Sequence, residues 1–314
     1  MARYIAQRLL AVIPIFLFAT LLSFGMIRLS PVDPAEVYLT VAHIHPTEEV
    51  LAEVRKEFGL DQPLLVQYAG SILKMCRLDF GISYITKTPV WDEVKLRMPA
   101  TLQLAFSSIL VAIIVSVPLG FFSAIYKNGI IDQLSRGIAF LGASIPQFWM
   151  GYLLIFFFAL KLDLLPVQGR GSWENLVLPS VTLAMGLIAI YTRLLRANVL
   201  EQLHEPYVIF ARTRGLRERL IMSKHVLRIA ISPMITGLGM NIGRLLAGTI
   251  IVEEVFSWPG FGRYFVESIF NRDLPVIQCY VFLVACIFIV SNLLVDLLQM
   301  LLDPRITRGG NAKS

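Results

Sequence analysis

Long uncharged runs alternate with shorter polar segments along the chain. Residues 9–27 carry no charge, and at about 1.5 Å per residue a helix over them reaches roughly 28 Å, close to the ~30 Å hydrocarbon layer of a bilayer. Further uncharged runs occupy 99–126, 137–160, 176–192 and 274–295, and a block at about 230–252 is interrupted by Arg244 alone. The pattern predicts an all-α polytopic membrane protein with six transmembrane helices. The first run follows Arg3 and Arg8 like a signal peptide, yet it is long and has no small-residue cleavage pattern before Pro31 and Pro34, so a retained anchor is expected.

Composition agrees with that reading. The chain has 314 residues, 56% of them hydrophobic and only 16% charged, against about 45–50% and 25% in ordinary soluble domains. A soluble enzyme is excluded on those grounds. The net charge of +6 does not call for nucleic acid, because in a membrane protein Lys and Arg set orientation. With the N-terminus inside, the cytoplasmic segments hold Arg3 and Arg8, Lys127 and Arg136, eight basic residues in 193–232, and Arg305, Arg308 and Lys313, while 161–175 and 253–273 hold two each. Segment 28–98 has eight Lys/Arg beside ten Asp/Glu, and loops of that length cross largely regardless of charge. An N-in/C-in chain follows.

Two polar segments are large enough to fold. The outer one contains an amphipathic stretch at 47–58, with Val50, Leu51, Val54 and Phe58 at helical spacing, and predicts a small cap. The inner one, 193–232, reads Glu205-Pro206-Tyr207-Val208-Ile209-Phe210-Ala211-Arg212-Thr213-Arg214-Gly215-Leu216 before a second helical stretch at 217–231. Gly215 suits the left-handed position that ends a helix. The expected result is a short helix, a tight turn and a second helix with Leu220, Ile221 and Leu227 to one side, a knob whose short helix fits a partner's groove. A solvated loop whose arginines only enforce topology is the plainer alternative. The chain has no GxxxxGK[ST] phosphate loop, no HExxH and no GxSxG, so no ATPase, metalloprotease or esterase apparatus is visible.

Several blocks are more specific than pattern. Leu60-Asp61-Gln62-Pro63-Leu64, Asp79-Phe80-Gly81-Ile82-Ser83, Tyr207-Val208, Ala211-Arg212, Gly215-Leu216, His225-Val226-Leu227-Arg228, Phe256-Ser257-Trp258-Pro259-Gly260, Arg272-Asp273-Leu274-Pro275 and Asp303-Pro304-Arg305 occur in order from residue 60 to 305. Together they resemble the B-type permease subunits of ABC importers in the nickel, dipeptide and oligopeptide uptake family. Glu205-Pro206 and Gln299-Met300 depart from that family's usual residues. The resemblance implies a multi-pass, non-catalytic subunit of the bacterial cytoplasmic (inner) membrane. Its expected partners are a second permease subunit, two ATPase subunits holding ATP and magnesium, an extracytoplasmic substrate-binding protein, and membrane lipid. No cofactor is expected on this chain itself. Glu205, Tyr207, Val208, Ala211, Arg212, Gly215 and Leu216 would form the ATPase-coupling loop.

The resemblance implies a division into an N-terminal segment with the first span (1–28), an extracytoplasmic cap (29–98), a permease core (99–305) and a cytoplasmic tail (306–314). Segments around Asn241-Ile242-Gly243 and 269–279 look most like nickel permeases, so nickel or a nickel chelate is the expected substrate, with di- or oligopeptides the alternative. A self-sufficient secondary transporter is the rival of another class, with Arg244 and Asp296 its only intramembrane charges. Arg244 and Asn241 are candidates for the pathway or for an inter-subunit contact, since an ionisable group within a span faces a bundle interior or a wet cavity. Metal donors are sparse. His43 and His45 lie in the cap, and Cys279 and Cys286 are two helical turns apart, a spacing equally suited to small apolar side chains.

Overall fold

The computed structural model describes residues 2–28 and 33–302, and apart from one isolated bridge between Ile82 and Pro89 its regular structure is helical. In chain order the helices are α1 (Ala2–Arg28), α2 (Pro34–Val41), α3 (Glu48–Glu57), α4 (Leu64–Cys76), α5 (Val90–Ile125), α6 (Ile130–Ser144) and α7 (Gln147–Leu154), the last continued by a π-helical stretch, Ile155–Lys161. There follow α8 (Glu174–Gln202), α9 (Pro206–Thr213), α10 (Glu218–Leu220), a π-helical stretch Ile221–Val226, α11 (Leu227–Ala230), α12 (Ser232–Met240), α13 (Ile242–Val255), α14 (Phe261–Phe270) and α15 (Leu274–Leu302). They form two units, Met1–Pro99 with Gly260–Ser314, and Ala100–Pro259.

In the first unit α1 lies along α15, with Phe16 edge-on to Phe282 at 5.6 Å and the Ser23 hydroxyl donating to the Gln278 carbonyl at 3.3 Å. The cap has its own small core. Asp33 accepts from the Ala35 amide to start α2, and Thr47 accepts from Val50 to start α3, so the expected 47–58 stretch is α3 with its two caps. Val54 is buried, with Val50 and Leu51 half-buried beside Ala35 and Leu39. Two signature blocks nearly 200 residues apart meet at the buried Asp273 carboxylate, which accepts from the Ser83 hydroxyl and, at 3.0 Å, from the Tyr84 amide. Burial, with the Asp273 charge second, pushes the Tyr84 phenol pKa up.

In the second unit α8 is the central helix, burying Leu183, Ala184, Ile188, Tyr191 and Leu195. Glycines let its neighbours approach. A Cβ at Gly120 of α5 would stand 2.9 Å from the Thr192 carbonyl, and one at Gly142 of α6 would stand 2.9 Å from the Met185 carbonyl. Close backbone crossing at small residues is how helices gain packing where lipid removes the hydrophobic drive.

Among the described residues, Val90–Ile125, Glu174–Gln202 and Leu274–Val295 are long and apolar enough to span a membrane, and two bent pairs raise the count to five if each is one span. The uncharged run at 137–160 is therefore not one straight helix. Residue 145, before Pro146, is extended (φ −82°, ψ 126°), the conformation a proline ring favours in its predecessor, and the two halves meet at 113°. The block at 230–252 is likewise divided, into α12 and α13 at Asn241. The expected 217–231 helix is Glu218–Ala230 with a π-helical centre.

Candidate functional site

Polar segment 193–232 folds as a knob on the end of α8. Pro206 opens α9 at its first turn, where a missing N–H costs nothing; Glu205 stands at the N-cap in an extended conformation but makes no capping hydrogen bond. The helix ends in two bonds, Gly215 N–H to the Arg212 carbonyl at 2.9 Å and Leu216 N–H to the Ala211 carbonyl at 3.2 Å. With Gly215 at φ +75° this is the Schellman arrangement. Arg212 donates through two nitrogens to the Glu218 carboxylate across the turn. That pairing lowers the Glu218 pKa and raises that of Arg212.

The two faces of α9 differ. Val208 and Ala211, three residues apart, are buried with Leu195 and Val199 of α8, Ala124 of α5, and Ile221, Met222 and Val226 of the following segment. Tyr207 is half-buried beside them, its hydroxyl donating to Gln202 Oε1 at 2.9 Å, and burial raises its pKa. Ile209 and Phe210 point the other way, 54% and 63% exposed. Val208 and Ala211, expected in the coupling loop, thus anchor the knob in its own core. The residues presented outward, Ile209 and Phe210, were not distinguished from them in the sequence. Leu216 and Leu220 are also exposed, whereas Ile221 is buried, so Leu220 does not join the expected apolar side.

The knob's base is tied to α6 by charge. Asp132, fully buried, accepts from Arg196 Nε at 2.7 Å and Nη2 at 2.9 Å, and from the Asn128 amide at 2.9 Å. Such bidentate, charge-assisted pairs are the strong class of hydrogen bond. Arg136 approaches the same carboxylate at 3.5 Å.

The remaining candidates scatter. Asn241 donates to the Tyr191 hydroxyl and the Gly237 carbonyl. Arg244 lies on α13, with its side chain outside the described residues, as are Asp303-Pro304-Arg305 and the 306–314 tail. His43 and His45 are exposed on the loop after α2, Cys279 is buried and Cys286 half-buried. Among the described residues no three His, Cys, Asp or Glu side chains are grouped to hold a metal ion. Trp258 is core: its indole N–H donates to the Ala100 carbonyl at 2.9 Å. Beside it the buried Glu253 accepts from Thr101 at 2.7 Å.

Comparison with known proteins adds the family. Residues 116–308 match the model described as binding-protein-dependent transport system inner membrane component, and residues 1–105 match the N-terminal model of such membrane components. A glutathione transport system permease protein, GsiC of Escherichia coli K12, is 39% identical over 98% of this chain and 99% of its own. The Salmonella typhimurium protein of that name is 38% identical over the same shares. A solved structure titled as an amino acid ABC transporter with histidines overlaps 68% of this chain and 94% of its own, at 20% identity and a TM-score of 0.48.

Proposed function

Because the chain belongs to the family of binding-protein-dependent transport system inner membrane components, and so is a non-catalytic permease subunit of an ABC importer, we propose that it carries short peptides of the glutathione class. The observation that carries this reading is the 38–39% identity, end to end, with glutathione permeases. It favours the peptide alternative over the nickel expected from local motifs. Family membership also sets aside the self-sufficient transporter, since energy comes from partner ATPases.

In this reading six spans run N-in to C-in, 29–98 is the extracytoplasmic cap, and 193–232 is the coupling segment. The exposed Ile209 and Phe210 enter a groove on an ATPase subunit that holds ATP and magnesium, and Val208 and Ala211 transmit its movement to α8 and α5. A second permease subunit completes the pathway, and a binding protein delivers the peptide. ATP-driven closure of the ATPase pair acts only through contacts that differ between the two states of the permease.

The test is substrate-stimulated ATPase activity of the reconstituted complex with its binding protein, offered glutathione, dipeptides, oligopeptides, nickel and a nickel chelate in turn. Stimulation by glutathione or other short peptides is expected. Stimulation by nickel or its chelate alone would overturn the peptide reading and leave the family assignment untouched.

A further inference from the structure

Both broken helices of the second unit open on one cavity. The α6–α7 break at 145–146 and the α12–α13 break at Asn241 face the middle of α8 across a space of about 250 Å³, lined by Ile145, Gln147, Met185, Gly186, Asn241 and Gly248 among others. Irregular backbone at membrane depth is tolerated where it is buried in protein or lines a wet cavity, and interrupted helices are where transporters place their substrate contacts.

The lining is mostly apolar with two primary amides. Asn241 is held in one orientation by its Nδ2 donations to the Tyr191 hydroxyl (3.0 Å) and the Gly237 carbonyl (2.9 Å), which leaves Oδ1 as a fixed acceptor. The side chain of Gln147, at the start of α7, makes no hydrogen bond among the described residues. Its Oε1 and Nε2 lie 3.3 and 3.5 Å from where a Cβ on Gly248 would stand, so the glycine is what leaves that amide space. Gly186, on α8, faces a void: a Cβ there would meet no heavy atom within 4 Å. A fixed acceptor and an unoccupied amide match the N–H and C=O of a peptide group. The aliphatic and thioether remainder, Ile145 and Met185, accepts side chains without selecting among them.

We propose that this cavity is where a peptide in transit touches this chain, its backbone amide bridging Asn241 and Gln147, with Gly186 and Gly248 providing the room. The proposal rests on the peptide reading above and adds the contact site.

It is tested in the full complex of both permease subunits, ATPases and binding protein in proteoliposomes, by uptake of labelled glutathione and of a dipeptide. Gly186→Ala and Gly186→Leu add bulk into empty space on a helix that tolerates it, and the expected result is loss of glutathione uptake graded with size, the dipeptide suffering less, in complexes that retain both permease subunits. Gln147→Ala should raise KM about fivefold, the worth of one neutral hydrogen bond, with the maximal rate little changed. Wild-type KM and peptide-size preference in Gly186→Leu and Gln147→Ala would overturn the site. Loss of the second permease from every variant on purification would overturn it too, making the cavity a subunit seam. Failure of the unmutated complex to take up any peptide overturns the peptide reading itself, before any variant is compared.

Discussion

Replacing Gly215 probes the turn on which the proposed coupling depends, and the structure sets the size of the effect. Gly215 sits at φ +75°, and a Cβ added there meets nothing within 4 Å. Crowding therefore contributes nothing, and the whole penalty is the left-handed backbone, about 1–2 kcal/mol for an ordinary L-residue. Asparagine, which visits that region readily, lies below the range, and a β-branched residue lies above it. An energy of 1–2 kcal/mol changes a two-state ratio by roughly 5- to 30-fold. Because Val208 and Ala211 still anchor α9 in its core, the strain loosens the helix end and the Leu216 bond and leaves the subunit folded. The assay is peptide transported per ATP hydrolysed in proteoliposomes, for Gly215→Asn, Gly215→Ala and Gly215→Val. The ratio is expected to fall in that order, with subunit recovery unchanged. A valine variant that transports as many peptides per ATP as the unmutated protein would refute the idea that this left-handed turn transmits motion.

Three further outcomes follow from the same geometry. Phe210→Ala, at a side chain 63% exposed, should leave the melting temperature of the isolated subunit unchanged and reduce co-purification of the ATPase subunits; Val208→Ala, which removes two buried methyl groups, should do the reverse at about 1.6 kcal/mol. Asp132→Asn takes the charge from a buried carboxylate gripped by Arg196 at 2.7 and 2.9 Å and should lower stability by about 2 kcal/mol, read as a melting shift in detergent; an unchanged transition would show that α6 and α8 are held by packing alone. Glu218, its pKa lowered by Arg212, contributes above the ordinary glutamate range, and that contribution disappears as pH falls through the lowered value. Both partners are largely exposed, so the effect is small. It should show as an acid-side loss of hydrogen-exchange protection around residue 215 that Glu218→Gln flattens, and an identical profile in that variant would remove the clamp from the account.

The parts of this fold legible in the sequence are those governed by local rules. Thr47 and the spacing of Val50 and Val54 specify α3, and the glycine at 215 stops α9 through a conformation few other residues adopt. Hydrophobicity carries no direction, however, and leaves the course of each apolar run open. Prolines 14 and 179 lie within continuous helices, whereas Pro146 divides one, because there the preceding residue is extended and the chain turns by 113°. An apolar run containing proline is compatible with either outcome, so the cavity at that break was invisible. The nickel expectation failed to gain support for a related reason: it rested on short motifs such as those around Asn241, and identity along the whole chain weighs more for the branch. The knob shows the same limit most sharply. Residues 208 to 211 are four apolar or small side chains in a row on a helix of eight residues, too many for the face that one core can cover. Helical geometry sends 208 and 211 inward and leaves 209 and 210 in the open, and only the packing beneath α9 says which pair is which. The usable signal was the surplus itself: a short helix outside the spans, apolar on both faces, buries one face in its own chain and leaves the other exposed, as the proposed docking requires.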